Sequence, residues 1–288
     1  MRSMLFVPGD SDKKLAKGTG SGADALIADL EDSVAAGRKE AARRVTLEFL
    51  RAGRGRQLIF VRINALDTPH ALDDLACVVT GAPDGIVLPK CASADALRTV
   101  DHYLSALEAR EGLAVGKIKL LPIVTETARA VFELGAYAGA SSRLSAMMWG
   151  CEDLAADVGA ATNRASDASF LAPFELARAL CLYAAAAAGV SAIDTVYADF
   201  HDLDGLGAES LAAERLGFSA KAAIHPAQVD VINRAFTPGE PAVAWARKVV
   251  AAFAHAPGVG VVAIDGKMID RPHLRAAERI LARAGRGV

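Results

Sequence analysis

The chain has 288 residues, of which 52% are hydrophobic and 23% charged, and its formal net charge is −2. This composition favours a folded protein with a large core over a disordered chain. The absence of a basic run argues against partners such as nucleic acid or an anionic membrane, and the apolar runs are far shorter than the ~20 residues of a membrane-spanning helix.

Eight short apolar runs alternate with longer segments of helical period, and most of the runs are unbroken, as is typical of parallel strands buried on both faces. The predicted strands are residues 3–7, 25–30, 57–63, 85–88, 118–125, 144–149, 192–198 and 220–224. The predicted helices are residues 12–20, 38–51, 70–79, 92–111, 127–139, 153–159, 173–189 and 209–216. This alternation predicts an α/β fold, a closed (β/α)8 TIM barrel, for which about 250 residues suffice.

The residues after the eighth strand lie outside the eightfold count. We therefore expect two domains, a catalytic barrel over residues 1–238 and a C-terminal helical lid or arm over residues 239–288. A helix through Phe253 and a last helix over residues 272–284 are predicted there. The last helix carries an apolar stripe that must pack on something; its members are Leu274, Ala277, Ile280 and Leu281.

Charged and polar residues gather at the carboxyl ends of the predicted strands, where barrel enzymes build their active sites. In chain order they are Asp29, Glu31, Asp32, Arg62, Asn64, Lys90, Glu126, Glu152, Asp153, Asp194, Asp199 and His225. A scaffold without a site would have little reason to concentrate charge on one rim. The sequence therefore predicts a functional rim at this end of the barrel.

Oxygen ligands dominate this rim, and neither a Cys pair nor an H-E-x-x-H motif is present, so a hard cation such as Mg²⁺ fits better than zinc. Glu126 and Asp153 follow neighbouring strands and are the natural ligand pair. Each alone has an alternative explanation as an acid at a helix N-terminus, favoured by the helix dipole. The two together favour a metal site.

Arg62 is a charged residue inside an apolar strand. It either forms a structural ion pair with Asp29 or Asp32, or presents a fixed guanidinium to a carboxylate or oxyanion. Both can hold at once, because an acidic partner would orient the arginine.

Three further residues have two interpretations. Lys14 and Lys17 either form an ordinary surface or contact phosphates of a large ligand, and His225 is either a base or a hydrogen-bonded rim histidine. The glycines at residues 18, 20 and 22 lack the spacing of a dinucleotide-binding loop. The four cysteines form no C-x-x-C pair, and no signal peptide is apparent, so a reducing, cytoplasmic location is expected.

Ordered sequence blocks over nearly the whole chain resemble one known family. They are Leu5-Phe6-Val7-Pro8-Gly9, Asp29-Leu30-Glu31-Asp32-Ser33-Val34-Ala35, Val61-Arg62-Ile63-Asn64, Val87-Leu88-Pro89-Lys90, Glu126-Thr127-Ala128, Trp149-Gly150-Cys151-Glu152-Asp153-Leu154, Ile224-His225-Pro226-Ala227-Gln228 and Gly266-Lys267-Met268-Ile269-Asp270-Arg271-Pro272. These blocks are similar to those of the citrate lyase β-subunit-like acyl-CoA lyases of the HpcH/HpaI aldolase superfamily. Members include malyl-CoA, citramalyl-CoA and citryl-CoA lyases.

The resemblance implies a role for each matching position. Glu126 and Asp153 would hold Mg²⁺, Arg62 would bind the reacting oxygen, and the amides near Glu152 would hold the 2-oxo-acid carboxylate. Asp270 would reach a neighbouring subunit's site, which implies a homotrimer or a multiple of it. The resemblance also implies that acyl-CoA and substrate would contact Phe6, Lys17, Ile224 and His225. It implies that residues in contact with the site residues, rather than with the substrate, are Asp29, Glu31 and Asp32.

The expected reaction is Mg²⁺-dependent cleavage or formation of a 3-hydroxyacyl-CoA, with citramalyl-CoA, giving acetyl-CoA and pyruvate, as the first candidate. Ser11 stands where malyl-CoA lyases carry an arginine, which argues against malyl-CoA. A citryl-CoA lyase subunit of citrate lyase remains an alternative. A CoA-free 2-oxo-acid aldolase and a non-catalytic metabolite-binding barrel are less consistent with the set of Arg62, Glu126, Asp153 and Asp270.

Overall fold

The computed structural model describes residues 1–53 and 55–285. The strands are β1 Ser3–Pro8, β2 Ala25–Asp29, β3 Leu58–Arg62, β4 Gly85–Leu88, β5 Lys119–Pro122, β6 Ala146–Met148, β7 Ser191–Asp194, β8 Ala220–Ala223, β9 Val261–Ile264 and β10 Lys267–Asp270. The α-helices are α1 Asp12–Thr19, α2 Lys39–Arg51, α3 Ala71–Val78, α4 Ala94–Arg110, α5 Ala128–Glu133, α6 Glu152–Asp157, α7 Ala172–Ala187, α8 Leu203–Leu216, α9 Pro226–Phe236, α10 Glu240–His255 and α11 Arg271–Ala284. The last three residues of the predicted arm lie outside the described residues.

Strands β1 to β8 form one parallel sheet in the order β5-β4-β3-β2-β1-β8-β7-β6. The ends of this order meet at parallel bridges between Leu120 and Leu144 and between Ile123 and Met148. Every strand therefore neighbours the next strand of the chain, and the sheet closes on itself. The predicted TIM barrel is confirmed.

Apolar side chains fill the inside of the barrel. The interior cluster comprises Met4, Ala25, Ile27, Phe60, Val87, Leu121, Ile123, Ala146, Met148, Ile193, Ala220 and Ala222. Ile123 and Met148 belong to this cluster and also line the cavity described below. The packed core thus forms the floor of the site, and the strand ends above it carry the polar groups.

Side-chain caps fix where several helices begin after their strands. Ser11, Ser93 and Thr127 accept hydrogen bonds from backbone N–H groups in the first turns of α1, α4 and α5, respectively. Such a cap satisfies a donor that the helix itself leaves unpaired. Each cap therefore also fixes the path of the strand-to-helix loop that carries the site residues.

The predicted helix pattern is wrong at two places. Helix α8 begins at Leu203 rather than at residue 209, because Asp202 caps it by accepting the backbone N–H of Gly205. Helix α9 was not expected; it begins at Pro226, a residue suited to the first helical position because its missing N–H would be unpaired there. No helix in the described part of the chain is long and apolar enough to cross a bilayer.

The contacts divide the chain into two compact units, Met1–Ile232 and Asn233–Val288. The second unit has its own core of Ala246, Val249, Phe253, Ile264, Ile269 and Ala277. Its strands β9 and β10 form an antiparallel hairpin that was not predicted, although Asp265-Gly266 is a strong hairpin signal and both residues have positive φ. The apolar stripe of α11 packs into this core, so it does not by itself require a neighbouring subunit.

Candidate active site

A cavity of about 430 Å³ opens at the carboxyl ends of the barrel strands. The predicted site residues that line it are Phe6, Asp29, Asp32, Arg62, Glu126, Glu152, Asp153 and Ile224. Its other lining residues are Val7, Pro8, Ser33, Ile123, Met148, Trp149, Gly150, Cys151, Thr195 and Val196. The fold therefore brings together acids and apolar groups that are far apart in sequence.

A second cavity of about 300 Å³ adjoins the first and shares Phe6 and Ile224 with it. Lys14, Lys17 and His225 also line this second cavity. Two lysines beside apolar lining residues suit a ligand that carries both phosphates and an apolar chain. Contact of these lysines with phosphates stays a prediction.

Arg62 lies between the loop after β2 and the cavity. Its Nε and Nη2 donate to the two carboxylate oxygens of Asp29, each at 2.7 Å, and its Nη1 lies 3.1 Å from Glu31 Oε2. The guanidinium also sits over the Phe6 ring, 4.7 Å from its centre. Burial lowers the pKa of Arg62, but the hydrogen bonds and charge of Asp29 outweigh burial and raise it. The arginine is therefore charged and rigidly oriented.

The loop after β2 places the acids that surround Arg62. Asp29 is buried and accepts hydrogen bonds from the backbone N–H groups of Glu31 and Ser33. Burial raises the pKa of Asp29, but the hydrogen bonds and charge of Arg62 more than offset this and hold it below its usual value. Burial is also the main reason that the pKa of Glu31 is raised.

Glu126 and Asp153, the predicted ligand pair, both line the first cavity. Glu126 is only 4% exposed, and burial, together with the negative charges of Asp153 and Glu31, raises its pKa to about 8 despite a hydrogen bond from the Lys90 N–H. Within residues 1–53 and 55–285, no group of three or more His, Cys, Asp or Glu is arranged to hold a metal. Two carboxylates are nevertheless enough for Mg²⁺, which commonly keeps waters and substrate oxygens as its other ligands.

Gly150 leaves the space that Glu126 occupies. A Cβ atom at this glycine would lie 2.8 Å from Cγ and 3.4 Å from Oε1 of Glu126. The first distance is too short for non-bonded carbons, so any larger residue would push the carboxylate away. The end of β6 is thus shaped to accept a carboxylate that comes from the end of β5.

Lys90 is a site residue to which the sequence analysis gave no role. Its ammonium lies 2.5 Å from Glu31, 3.3 Å from Asp153 and 3.5 Å from Asp32, and its backbone N–H donates to Glu126. Burial lowers the pKa of Lys90, but the hydrogen bond and charge of Glu31 outweigh burial and raise it. The signal that could have revealed it was a lysine two residues after the end of a buried strand.

Asp194 was expected on the rim, and this prediction is wrong. The residue is fully buried, and its carboxylate accepts the Trp149 indole N–H at 2.7 Å and pairs with Arg178 and Lys221 at 3.0 and 2.8 Å. Asp194 therefore fixes Trp149, which lines the cavity, but does not itself face the cavity.

The remaining predicted residues have partners of their own. Glu152 is the first residue of α6 and accepts a hydrogen bond from Asn163 at 3.0 Å. His225 accepts the N–H of Ala227 at 3.2 Å and stacks on Phe200 with ring centres 5.0 Å apart. These contacts match the interpretation of His225 as a hydrogen-bonded rim histidine.

Asp270 belongs to the C-terminal unit, where it caps α11. Its carboxylate contacts His273 Nδ1 at 2.5 Å and accepts the His273 backbone N–H at 3.4 Å. The hydrogen bond from the His273 side chain is the main reason that the pKa of Asp270 is lowered. The carboxylate is therefore ionised and partly exposed.

Comparison with known proteins gives two family matches. Residues 2–226 match the HpcH/HpaI aldolase/citrate lyase family, and residues 174–286 match the carbon–carbon bond lyases of the TIM-barrel fold. The chain is 36% identical over 286 residues to citrate lyase subunit beta of Escherichia coli strain K12, covering 98% of this chain and 93% of that protein. It is also 36% identical over 292 residues to a (3S)-malyl-CoA thioesterase of Cereibacter sphaeroides strain ATCC 17025, covering 98% and 94%.

Solved structures show the same similarity. CitE from Mycobacterium tuberculosis, in complex with magnesium, acetoacetate and coenzyme A, has a TM-score of 0.80 and 34% identity, covering 99% of this chain and 98% of that chain. A complex of CitE from the same organism with magnesium and pyruvate has a TM-score of 0.72 and 30% identity, covering 97% of each chain.

Proposed function

The chain belongs to the HpcH/HpaI aldolase/citrate lyase family of carbon–carbon lyases, and from this premise we propose that it is a Mg²⁺-dependent lyase of 3-hydroxyacyl-CoA thioesters, with citramalyl-CoA as its substrate. The structural similarity to a protein that binds magnesium, acetoacetate and coenzyme A supports the cofactor and the class of substrate. The alternatives are a citryl-CoA lyase subunit and a malyl-CoA lyase.

We choose between the three substrates on the charge of the residues that line the first cavity. Citryl-CoA, citramalyl-CoA and malyl-CoA differ at C3, where they carry a carboxymethyl, a methyl group and a hydrogen. Among the described residues that line this cavity, Arg62 is the one lysine or arginine. Its guanidinium is already paired with acids, Nε with Asp29 and Nη1 with Glu31. The acids that line the cavity are Asp29, Asp32, Glu126, Glu152 and Asp153.

A second free carboxylate would therefore enter an excess of negative charge, and no lysine or arginine among the described lining residues is free to pair with it. A methyl group would instead contact apolar lining residues, which include Ile123, Met148 and Val196. These features favour citramalyl-CoA over citryl-CoA. They also favour it over malyl-CoA, whose hydrogen at C3 would leave the apolar lining residues without a contact.

The experiment that tests this choice compares kcat/KM for the three thioesters at saturating Mg²⁺. We expect citramalyl-CoA to exceed citryl-CoA by about 100-fold or more, since an unpaired carboxylate in a site of this charge costs several kcal/mol. A preference for citryl-CoA would contradict the substrate assignment while leaving the lyase assignment intact.

Glu126 and Asp153 would hold the metal, and when bound it would supply positive charge to the carboxylate and oxygen of the 2-oxo-acid half. Arg62, fixed by Asp29, would stabilise negative charge that develops on oxygen during cleavage. The backbone N–H groups at the start of α6, near Glu152, would hold the substrate carboxylate. Lys14 and Lys17 in the second cavity would contact the phosphates of coenzyme A.

In the cleavage direction, the C3 hydroxyl loses its proton and the bond between C2 and C3 breaks. The electron pair of that bond forms a thioester enolate, which takes a proton at carbon to give acetyl-CoA. The other product is a 2-oxo acid, pyruvate from citramalyl-CoA. Asp270 is the candidate for both proton transfers: its ionised carboxylate would take the proton that the C3 hydroxyl loses and, as the acid formed in this way, would return it to the enolate carbon.

We propose that Asp270 serves the barrel of a neighbouring subunit in a homotrimer or a multiple of it. Its partly exposed carboxylate at the start of α11 is accessible to another chain, and closed homo-oligomers can share sites in this way. Asp270→Asn and Glu126→Gln subunits, each inactive alone, should regain part of the activity when mixed and reassembled. Some sites would then combine the intact Glu126 of one chain with the intact Asp270 of another.

The control for this experiment is each variant mixed with itself under the same reassembly conditions. No recovery, in spite of mixed oligomers shown by mass spectrometry, would mean that Asp270 serves its own barrel or has no catalytic role.

A further inference from the structure

Lys90 contacts the acids of the first cavity with both its side chain and its backbone. Its ammonium is 2.5 Å from Glu31 Oε1 and 3.3 Å from Asp153 Oδ1, and its backbone N–H donates to Glu126 Oε2. One residue at the end of β4 therefore reaches both proposed metal ligands, which come from the ends of β5 and β6.

The backbone of Lys90 has an unusual conformation, with φ at 48°. This left-handed region is disfavoured for a residue with a Cβ, and it persists where surrounding contacts hold it. Here the contact to Glu126 holds the backbone while the contacts to Glu31 and Asp153 hold the side chain. In the metal-free protein, the contact of the Lys90 backbone and the contacts of its side chain thus position the ammonium together.

Charge explains why a cation is needed at this point. Glu31 and Asp32 follow β2, Glu126 follows β5 and Asp153 follows β6. These four acids would repel one another if all were ionised and unpaired. Arg62 is already held by Asp29 through two hydrogen bonds. Lys90 supplies a further positive charge, and its side chain is 30% exposed, so it can move away on its flexible stem.

We propose that Lys90 is a placeholder cation: its ammonium neutralises the acidic cluster and positions Asp153 in the metal-free enzyme, and it leaves Asp153 when the divalent ion binds. This inference rests on the proposed metal site at Glu126 and Asp153. It assigns Lys90 a positioning role that acts through the metal ligands and does not require contact with the substrate.

Binding of Mn²⁺ tests the proposal without any measurement of turnover. In Lys90→Met the positive charge that competes with the metal is removed, so Mn²⁺ should bind about tenfold more tightly or better, as expected for loss of one charge a few ångströms from the ion. The metal-free variant should also unfold at a lower temperature than the wild type, because the acids lose their counter-ion. Lys90→Arg, which keeps the charge, should bind Mn²⁺ about as the wild type does.

The matched control is Lys119→Met. Lys119 is the first residue of β5, at the opposite end of the strand from the site, and its ammonium donates to the carbonyl of Gly116. Its Mn²⁺ affinity should be unchanged. Unchanged or weaker Mn²⁺ binding by Lys90→Met would overturn the placeholder role. If the wild type itself bound no Mn²⁺, the proposed metal site would fail as well.

A measurement on the wild-type protein keeps the proposal testable even if Lys90→Met does not fold. Amine-selective labelling, followed by mass spectrometry, should modify Lys90 more rapidly with saturating Mg²⁺ than with EDTA, because the metal releases the ammonium from Asp153. Lys119 provides the internal reference. Equal labelling of Lys90 in both conditions would contradict displacement.

Discussion

A Glu126→Gln, Asp153→Asn variant is expected to lose measurable Mg²⁺ binding and to turn over at least about 10³-fold more slowly than the wild type. Each substitution keeps the size of the side chain but removes the anionic oxygen that a hard cation needs. Without the metal, the charge that develops on the substrate oxygens lacks its main stabilisation. Isothermal titration with Mg²⁺ and a turnover assay measure the two effects.

Folding is checked separately. The double variant should unfold cooperatively in EDTA, since the amide oxygen introduced by Glu126→Gln could still accept the hydrogen bond from the Lys90 backbone. The matched control is Glu40→Gln, Asp204→Asn, which removes the same two charge types from exposed positions on α2 and α8. This control should bind Mg²⁺ and turn over as the wild type does. Undiminished metal affinity in the Glu126 and Asp153 variant would refute the ligand assignment.

Arg62→Lys should lower kcat by about 10²- to 10³-fold while changing KM much less, a loss typical of removing one transition-state charge stabiliser. Lysine keeps the charge but not the planar fork that donates to both oxygens of Asp29. The less well oriented cation should therefore impair the transition state more than binding of the thioester, whose phosphates are expected in the other cavity.

The comparison variant is Arg43→Lys. Arg43 also pairs with a buried aspartate, Asp74, and its side chain is 15% exposed against 12% for Arg62. It joins α2 to α3 outside the cavity, so Arg43→Lys should cost stability without lowering kcat. Wild-type turnover in Arg62→Lys would show that Arg62 does not stabilise the transition state.

Much of the fold follows from the sequence for simple physical reasons. Strands buried on both faces produce unbroken apolar runs, and eight of them, separated by helical segments, have few ways to close. The carboxyl ends of parallel strands share one rim, so acids such as Glu126 and Asp153 could be grouped without coordinates. The side-chain pairing of Arg62 with Asp29 was one of two alternatives, and the structure shows that pairing.

Other features depend on details that a linear pattern does not contain. Successive residues of a strand point to opposite faces, so a shift of one position decides whether an acid such as Asp194 faces the cavity or the helix layer. The role of Lys90 depends on a positive φ and on three strand ends meeting at one point. The packing of α11 on its own unit could not be told from packing on a neighbour, because an apolar stripe does not specify its partner.

Identification of the products formed from citramalyl-CoA tests the proposed lyase reaction most directly. The purified protein would be incubated with citramalyl-CoA in Mg²⁺ or in EDTA, and acetyl-CoA, pyruvate, free coenzyme A and citramalate would be quantified by mass spectrometry. We predict equal amounts of acetyl-CoA and pyruvate with Mg²⁺ and neither with EDTA. Release of free coenzyme A and intact citramalate, without acetyl-CoA, would show hydrolysis of the thioester and contradict cleavage of the carbon–carbon bond.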